Sequence, residues 1–142
     1  MSTFVLDASV AAKWMLPSQE RLQDAAAALL RDYAQGKNQF VVPDIFWAEI
    51  GNVAWKSVRQ GRWAARSAEN AIRAMTERQF PTVSSRQLLP QAFEIAAHFE
   101  RSVYDALYVA LAVSRKVILI TADERLVSAL GTFFPVKWLG AA

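Results

Sequence analysis

Short apolar runs alternate along the chain with longer segments in which apolar residues recur every three or four positions. The clearest runs cover residues 4–6, 40–42 and 117–121, and the last of these is rich in β-branched side chains. Such runs predict buried β-strands, whereas the spacing of three or four predicts amphipathic helices. Two further strands are predicted over residues 80–83 and 136–139.

Helices are predicted between these strands from apolar periodicity and from residues that typically begin or end a helix. The predicted helices cover residues 9–16, closed by Pro17; a segment capped by Ser18 that ends before Gly36; a segment from Asp44 to near Gly61; residues 64–76; residues 90 to about 99, with Pro90 in the first turn; residues 103–115; and a short segment ending at Gly131.

The alternation of strands and helices predicts an α/β fold, a parallel sheet sandwiched by helices. No repeat, linker or low-complexity segment divides the chain, so we predict one domain over residues 1–142. In such sheets ligands bind beyond the carboxyl ends of the strands. The polar residues that follow Leu6 and Ile120 are therefore the first candidates for a functional site.

The composition restricts the chemistry that these residues can perform. The chain has no cysteine and one histidine, His98, which excludes thiolate zinc sites, iron–sulfur clusters, a cysteine nucleophile and a multi-histidine metal site. A formal net charge of +3 favours encounter with polyanions. The chain start lacks a signal-peptide pattern, and the longest apolar run, residues 106–113, is far shorter than the roughly 18 residues that span a membrane. We therefore expect a cytoplasmic protein with no membrane segment.

Four acidic residues stand in largely apolar surroundings: Asp7, Glu49, Asp105 and Asp123. If they converge, their like charges repel and raise one another's pKa unless a cation is present. With oxygen ligands alone, the plausible cations are Mg²⁺ and Mn²⁺. Such an ion can activate water and neutralise charge on a phosphodiester.

Each acidic residue also has a purely structural interpretation. Asp7 could cap the following helix, Glu49 could pair with Lys56 or Lys13, Asp105 completes a capping-box spacing with Ser102, and Asp123 could be a first-turn acid in a helix whose capping box joins Thr121 and Glu124.

Four segments containing these residues occur in one order: VLDASVAAKW from Val5, the helix with Glu49 and Asn52, YDALYVALA from Tyr104, and ITADERL from Ile120. In this combination the chain resembles the PIN-domain nucleases, especially the VapC-type toxins of toxin–antitoxin pairs. The resemblance covers about residues 4 to 139, and its last two segments are the most specific.

The resemblance implies a parallel-sheet sandwich, a homodimer, an RNA substrate and a small antitoxin partner. It also implies an acidic quartet, Asp7, Glu49, Asp105 and Asp123, in which Asp7, Asp105 and Asp123 bind Mg²⁺ or Mn²⁺. Ser9 and Thr121 match small polar positions that would hold these carboxylates or a metal-bound water by hydrogen bonds. Asn52, nearly one turn beyond Glu49, could do the same.

Basic residues could contact the RNA backbone. Lys56, Arg59, Arg62 and Arg66 recur every three or four residues beside Trp55 and Trp63, and Lys13, Arg101 and Arg125 lie near the acidic segments. The alternatives are a solvated helix face with inward or interfacial tryptophans, and ordinary ion pairs. Core or dimer packing is the default interpretation of Trp14, Trp47 and Tyr108, and His98 is interpreted as an ordinary helix residue.

Two other function classes compete with a nuclease. A phosphoaspartyl phosphatase requires a second Asp where this chain has Ser9, and a receiver domain requires an Asp at the end of the third strand, where residues 80–85 contain none. A non-catalytic module that binds protein or RNA is the remaining alternative, and the intact acidic quartet argues against it.

Overall fold

Strands and helices alternate in the predicted order in the computed structural model, which describes residues 1–16 and 22–141. Pro17 and Ser18, predicted to close the first helix and cap the next, lie outside the described residues. The elements are β1 Ser2–Leu6, α1 Ala8–Met15, α2 Gln23–Ala34, β2 Asn38–Pro43, α3 Ile45–Arg59, α4 Ala65–Glu77, β3 Thr82–Val83, α5 Ser85–Phe99, α6 Val103–Arg115, β4 Ile118–Thr121, α7 Glu124–Leu130, β5 Val136–Trp138 and a short 3₁₀ helix, Leu139–Ala141.

Within the described residues the sheet has five strands, all parallel, in the order β3-β2-β1-β4-β5. Successive strand residues point to opposite faces. Val5 and Leu6 of β1 are fully buried, and Leu119 and Ile120 of β4 are at most 1% exposed. Helices therefore cover both faces of the sheet, which confirms the predicted α/β sandwich.

The strand order reverses direction between β1 and β4. The chain runs outward from β1 through β2 to β3, and then returns to β4 on the other side of β1. A reversal of this kind opens a crevice at the carboxyl ends of the two central strands. Leu6 lies opposite Ile120 in the register, so Asp7 and Thr121 emerge side by side at that crevice.

The start of α5 differs from the prediction. The helix begins at Ser85, five residues before Pro90, because the Ser84 side chain accepts a hydrogen bond from the backbone N–H of Gln87 and caps it there. Pro90 lies inside the helix instead of in its first turn. It is exposed, so water can replace the hydrogen bond that a proline cannot donate.

Two of the tryptophans interpreted as packing residues do pack against the core, and their indole N–H groups are satisfied. Trp14 donates to the Ala26 carbonyl at 2.8 Å, and Trp47 donates to the Thr82 hydroxyl at 3.0 Å. In the part of the chain that the structure describes, no helix has the length and apolar character needed to cross a membrane.

Candidate active site

Asp7 occupies the carboxyl end of β1 and precedes α1 as its N-cap residue. Its side chain makes no capping hydrogen bond to α1, contrary to the structural interpretation. Instead, Oδ2 accepts hydrogen bonds from the Ser9 hydroxyl at 2.7 Å and from the Thr121 hydroxyl at 2.6 Å. The carboxylate is thus fixed by two hydroxyl groups, one of which lies 114 positions away along the chain.

Each of the two hydroxyls that donate to Asp7 also accepts a backbone N–H from the segment that follows β4. Ser9 Oγ accepts the N–H of Ala122 at 3.0 Å, and Thr121 Oγ1 accepts the N–H of Asp123 at 3.0 Å. Thr121 is fully buried. This network joins the segment after β1 to the segment after β4.

Asp123 caps α7. Its Oδ1 accepts the backbone N–H groups of Arg125 at 3.0 Å and Leu126 at 3.3 Å. The N-cap is therefore Asp123 itself, and the prediction of a first-turn acid in a Thr121–Glu124 capping box is wrong. Capping uses Oδ1 and leaves Oδ2 outside these bonds, so a structural role and a ligand role are compatible.

Glu49 lies within α3 and is half-buried. Its Oε1 accepts a hydrogen bond from the Tyr108 hydroxyl on α6 at 2.6 Å. The structural interpretation, an ion pair with Lys56 or Lys13, does not account for this contact. Tyr108 is the site residue that sequence reasoning missed, because a tyrosine in an apolar helix looks like core packing.

Asp105 lies in the first turn of α6. Its backbone N–H donates to the Ser102 hydroxyl at 3.1 Å, which confirms the predicted Ser102 cap. The carboxylate is held by Arg101, whose Nη2 lies 3.0 Å from Oδ2. Arg101 therefore forms an ion pair, with Asp105 instead of the glutamate expected as the alternative to a phosphate contact.

The four carboxylates influence one another electrostatically. Burial raises the pKa of Asp7, the hydrogen bonds from Thr121 and Ser9 lower it, and the charges of Asp105 and Asp123 raise it again. Burial likewise raises the pKa of Glu49. The hydrogen bond from Tyr108 lowers this pKa, and the charges of Asp7 and Asp105 raise it. Asp7 is therefore within electrostatic range of Asp105 and Asp123, and Glu49 is within range of Asp7 and Asp105. Repulsion between these like charges favours a cation near Asp7.

The donor set suits a hard ion that keeps much of its water. Across residues 1–16 and 22–141, no three His, Asp or Glu side chains stand together as a ready metal-binding group. Mg²⁺ commonly binds through one or two carboxylates and several waters, so it does not require such a cage. Asp7, Asp105 and Asp123 are the residues that could hold it, through carboxylate oxygens around the switch point.

The remaining predicted site residues lie on α3, α7 and α1, and just after α3. Asn52 is exposed and lines a depression of about 210 Å³ together with Glu49 on the same helix. Arg125 is exposed at the start of α7, and Lys13 is partly buried in the last turn of α1.

Arg59 and Arg62 are exposed at the end of α3 and just after it, away from the acidic region along that helix. The Arg59 guanidinium lies 5.3 Å from the ring centre of Trp55, which is 54% exposed and so does not pack inward. The larger cavity of about 540 Å³ between α3 and α4 is mostly apolar and contains none of the four acidic residues, so it is not the chemical site.

The sequence profile of the PIN domain matches residues 4–129, which include all four acidic positions. Ribonuclease VapC3 from Pyrobaculum aerophilum is 32% identical over 124 residues, covering 86% of this chain and 90% of that protein.

Two solved structures share the fold at low sequence identity. VapBC2 from Rickettsia felis, bound to a DNA fragment from its promoter, has a TM-score of 0.69 and 13% identity over 96% of this chain and 98% of its own. VapC20 from Mycobacterium tuberculosis, a sarcin–ricin loop cleaving toxin, has a TM-score of 0.62 and 18% identity over 91% of this chain and 95% of its own.

Replacing Thr121 with valine tests the hydroxyl network. Thr121→Val keeps the shape of the side chain but removes a donor to Asp7 and the acceptor for the Asp123 N–H. Because both groups are buried or partly buried, the free energy of unfolding should fall by about 1–3 kcal/mol, and the pKa of Asp7 should rise further. Urea unfolding and a carbon-13 NMR titration of the Asp7 carboxyl measure the two effects. Thr121→Ser keeps the hydroxyl and serves as the control; equal behaviour of the valine and serine variants contradicts the network.

Replacing Asp7 with asparagine tests whether the charge of the Asp7 carboxylate destabilises the metal-free fold. Since the pKa of Asp7 is raised in the folded state, the fold binds more protons than the unfolded chain between the two pKa values, and stability falls as pH rises through that window. Asp7→Asn should therefore raise the Tm of the metal-free protein at pH 7 by a few degrees. The difference should vanish below about pH 4, where the aspartate is protonated in both states.

Differential scanning calorimetry in the presence of EDTA measures this difference. Asp24→Asn removes the same charge from an exposed position of α2 and should not show the stabilisation. A lower Tm for Asp7→Asn than for the native chain at pH 7, with equal values in acid, contradicts the account, because it means that the Asp7 charge stabilises the metal-free fold.

Proposed function

The chain belongs to the PIN-domain family, among the VapC-type ribonucleases, and on this premise we propose that it is a Mg²⁺- or Mn²⁺-dependent endoribonuclease and the toxin of a toxin–antitoxin pair. The observation that carries the proposal is the Asp7 carboxylate at the switch point, held by two hydroxyls and within electrostatic reach of Asp105, Asp123 and Glu49. A binding module without chemistry has no need for repelling carboxylates in partly buried positions.

The proposed roles follow from the contacts of each residue. Asp7, Asp105 and Asp123 would hold the divalent ion, which when bound activates water and offsets the charge of the phosphodiester. Ser9 and Thr121 orient Asp7 through their hydroxyls. Glu49, whose pKa is raised by burial, is our candidate to accept a proton during hydrolysis.

Lys13, Arg125, Arg59 and Arg62 are our candidates for contacts to RNA phosphates. Arg125 has the strongest support among them, because it directly follows the acidic segment at the start of α7 and is exposed. Arg59 and Arg62 would extend the contact along the end of α3, where Trp55 offers an exposed ring.

A small antitoxin is the proposed protein partner. Its support is the family membership and the likeness to the VapBC2 complex of Rickettsia felis. A basic side chain of the antitoxin inserted among the carboxylates would compete with the metal and so inhibit the enzyme. The homodimer and the cytoplasmic location expected from the sequence stay predictions.

Cleavage of labelled RNA by the purified protein tests the proposed function. Cleavage should require Mg²⁺ or Mn²⁺, stop with EDTA and return when Mn²⁺ is added in excess. The variants Asp7→Asn, Glu49→Gln, Asp105→Asn and Asp123→Asn should each lower the rate by roughly two orders of magnitude or more, since each removes a charge from the site.

The exposed Asp24→Asn variant is the matched control and should cleave at the native rate. Cleavage that survives in Asp7→Asn, or in EDTA, defeats the metal-dependent mechanism. RNA binding without cleavage under any metal condition instead supports the alternative of a non-catalytic module.

A further inference from the structure

Tyr108 presents a buried polar group that packing alone does not explain. Its side chain is 2% exposed, and its neighbours on α6, Leu107 and Val109, are buried apolar residues. A phenylalanine would fill the same space. A buried hydroxyl must find a hydrogen-bond partner, and here the partner is Glu49 at 2.6 Å, 59 positions away in the chain.

The hydroxyl stands at a junction of the candidate site. Tyr108 follows Asp105 by three residues on α6, so the two side chains lie on neighbouring parts of one helix surface. The backbone N–H of Ala8, the residue after Asp7, lies close enough to the phenol to lower its pKa. The phenol of α6, the helix that carries Asp105, is therefore hydrogen-bonded to Glu49 of α3 and lies near the start of α1, which follows Asp7.

The surroundings make this hydroxyl a permanent donor. Burial raises the pKa of Tyr108 above its ordinary value, and the charges of Asp7 and Glu49 raise it further. A phenol in this state does not act as a base. It keeps its proton and donates it in a hydrogen bond to Oε1 of Glu49.

A glutamate side chain is otherwise poorly suited to a fixed position. Its free rotation costs up to about 2 kcal/mol to restrain, and a half-buried glutamate between like charges is driven away from them. The bond from Tyr108 opposes this repulsion at one oxygen. The second carboxylate oxygen, Oε2, takes no part in that bond. Because Oε1 is held, the direction of Oε2 is restricted.

We propose that Tyr108 is a positioning residue, whose buried hydroxyl anchors Oε1 of Glu49 so that the other carboxylate oxygen is held toward the acidic region. This role rests on the proposed function for its effect on catalysis, but the anchoring itself is a property of the free protein.

Tyr108→Phe removes the hydroxyl and keeps the ring, so it tests the role directly. For cleavage of an RNA oligonucleotide, kcat should fall roughly 10- to 100-fold while KM changes little, since misplacing a reacting group by about 1 Å has an effect of this size. Tyr33→Phe is the matched control: Tyr33 is a partly buried tyrosine that stacks on Phe40 in the core, and its variant should keep the native kcat.

A second measurement uses the metal-free protein and requires no activity. With carbon-13 in the glutamate carboxyl groups, the Glu49 signal should shift and broaden in Tyr108→Phe, because the freed side chain exchanges between rotamers, and should be unchanged in Tyr33→Phe. An unchanged Glu49 signal in Tyr108→Phe overturns the proposal, and so does a native kcat or a loss confined to KM.

The two measurements separate this inference from the proposed function. If the native protein cleaves no RNA but the Glu49 signal responds to Tyr108→Phe, the anchoring stands and the nuclease assignment fails. If the native protein cleaves RNA and Tyr108→Phe is indistinguishable from it in both measurements, the nuclease assignment stands and the anchoring fails.

Discussion

The hydrogen bonds that hold the Asp7 carboxylate fix the centre of the candidate site, where β1 and β4 end. They exist because β1 and β4 are adjacent and parallel, with Leu6 opposite Ile120, so that the next residue of each strand reaches the same edge. Thr121 then donates to Asp7 and accepts from Asp123, and Ser9 makes the matching pair of bonds from the α1 side. A shift of one residue in this register would turn Asp7 and Thr121 to opposite faces of the sheet and dissolve the site.

The same arrangement lowers the stability of the protein when no cation is bound. Burial and neighbouring negative charge raise the pKa of Asp7 and of Glu49, which means that their ionised forms are destabilised in the fold. Two donors at Asp7, the phenol at Glu49 and the guanidinium at Asp105 compensate in part. Charge that is retained at such a cost is typical of functional sites, because a bound cation converts the repulsion into binding energy.

The sequence predicts much of the fold because local signals and global packing agree in most elements. The β-branched run at residues 117–121 forms β4 from Ile118 to Thr121, and α6 has the predicted bounds because Ser102 caps it. Agreement fails where two signals compete. Pro90 is a strong signal for a helix start, yet the Ser84 cap begins α5 earlier and the exposed proline is tolerated inside it.

The candidate site was likewise predictable only in part. Asp7, Ser9 and Thr121 were predictable because polar residues directly after apolar runs mark the ends of parallel strands. The hydrogen bonds of the acidic residues were not predictable. Asp7 and Asp123 each precede a helix that either could cap, but only the Asp123 side chain makes capping hydrogen bonds. Tyr108 could not be identified from local pattern, because its partner Glu49 is 59 positions away and the helix around it is apolar.

If these carboxylates function as proposed, they bind a divalent ion at the ends of β1 and β4. The most direct measurement is the anomalous scattering of crystals grown with Mn²⁺. One or two strong peaks should lie within coordination distance of oxygens of Asp7, Asp105 or Asp123, with water completing the shell. Absence of a peak there at a Mn²⁺ concentration that supports RNA cleavage, or a peak bound elsewhere on the surface, would contradict it.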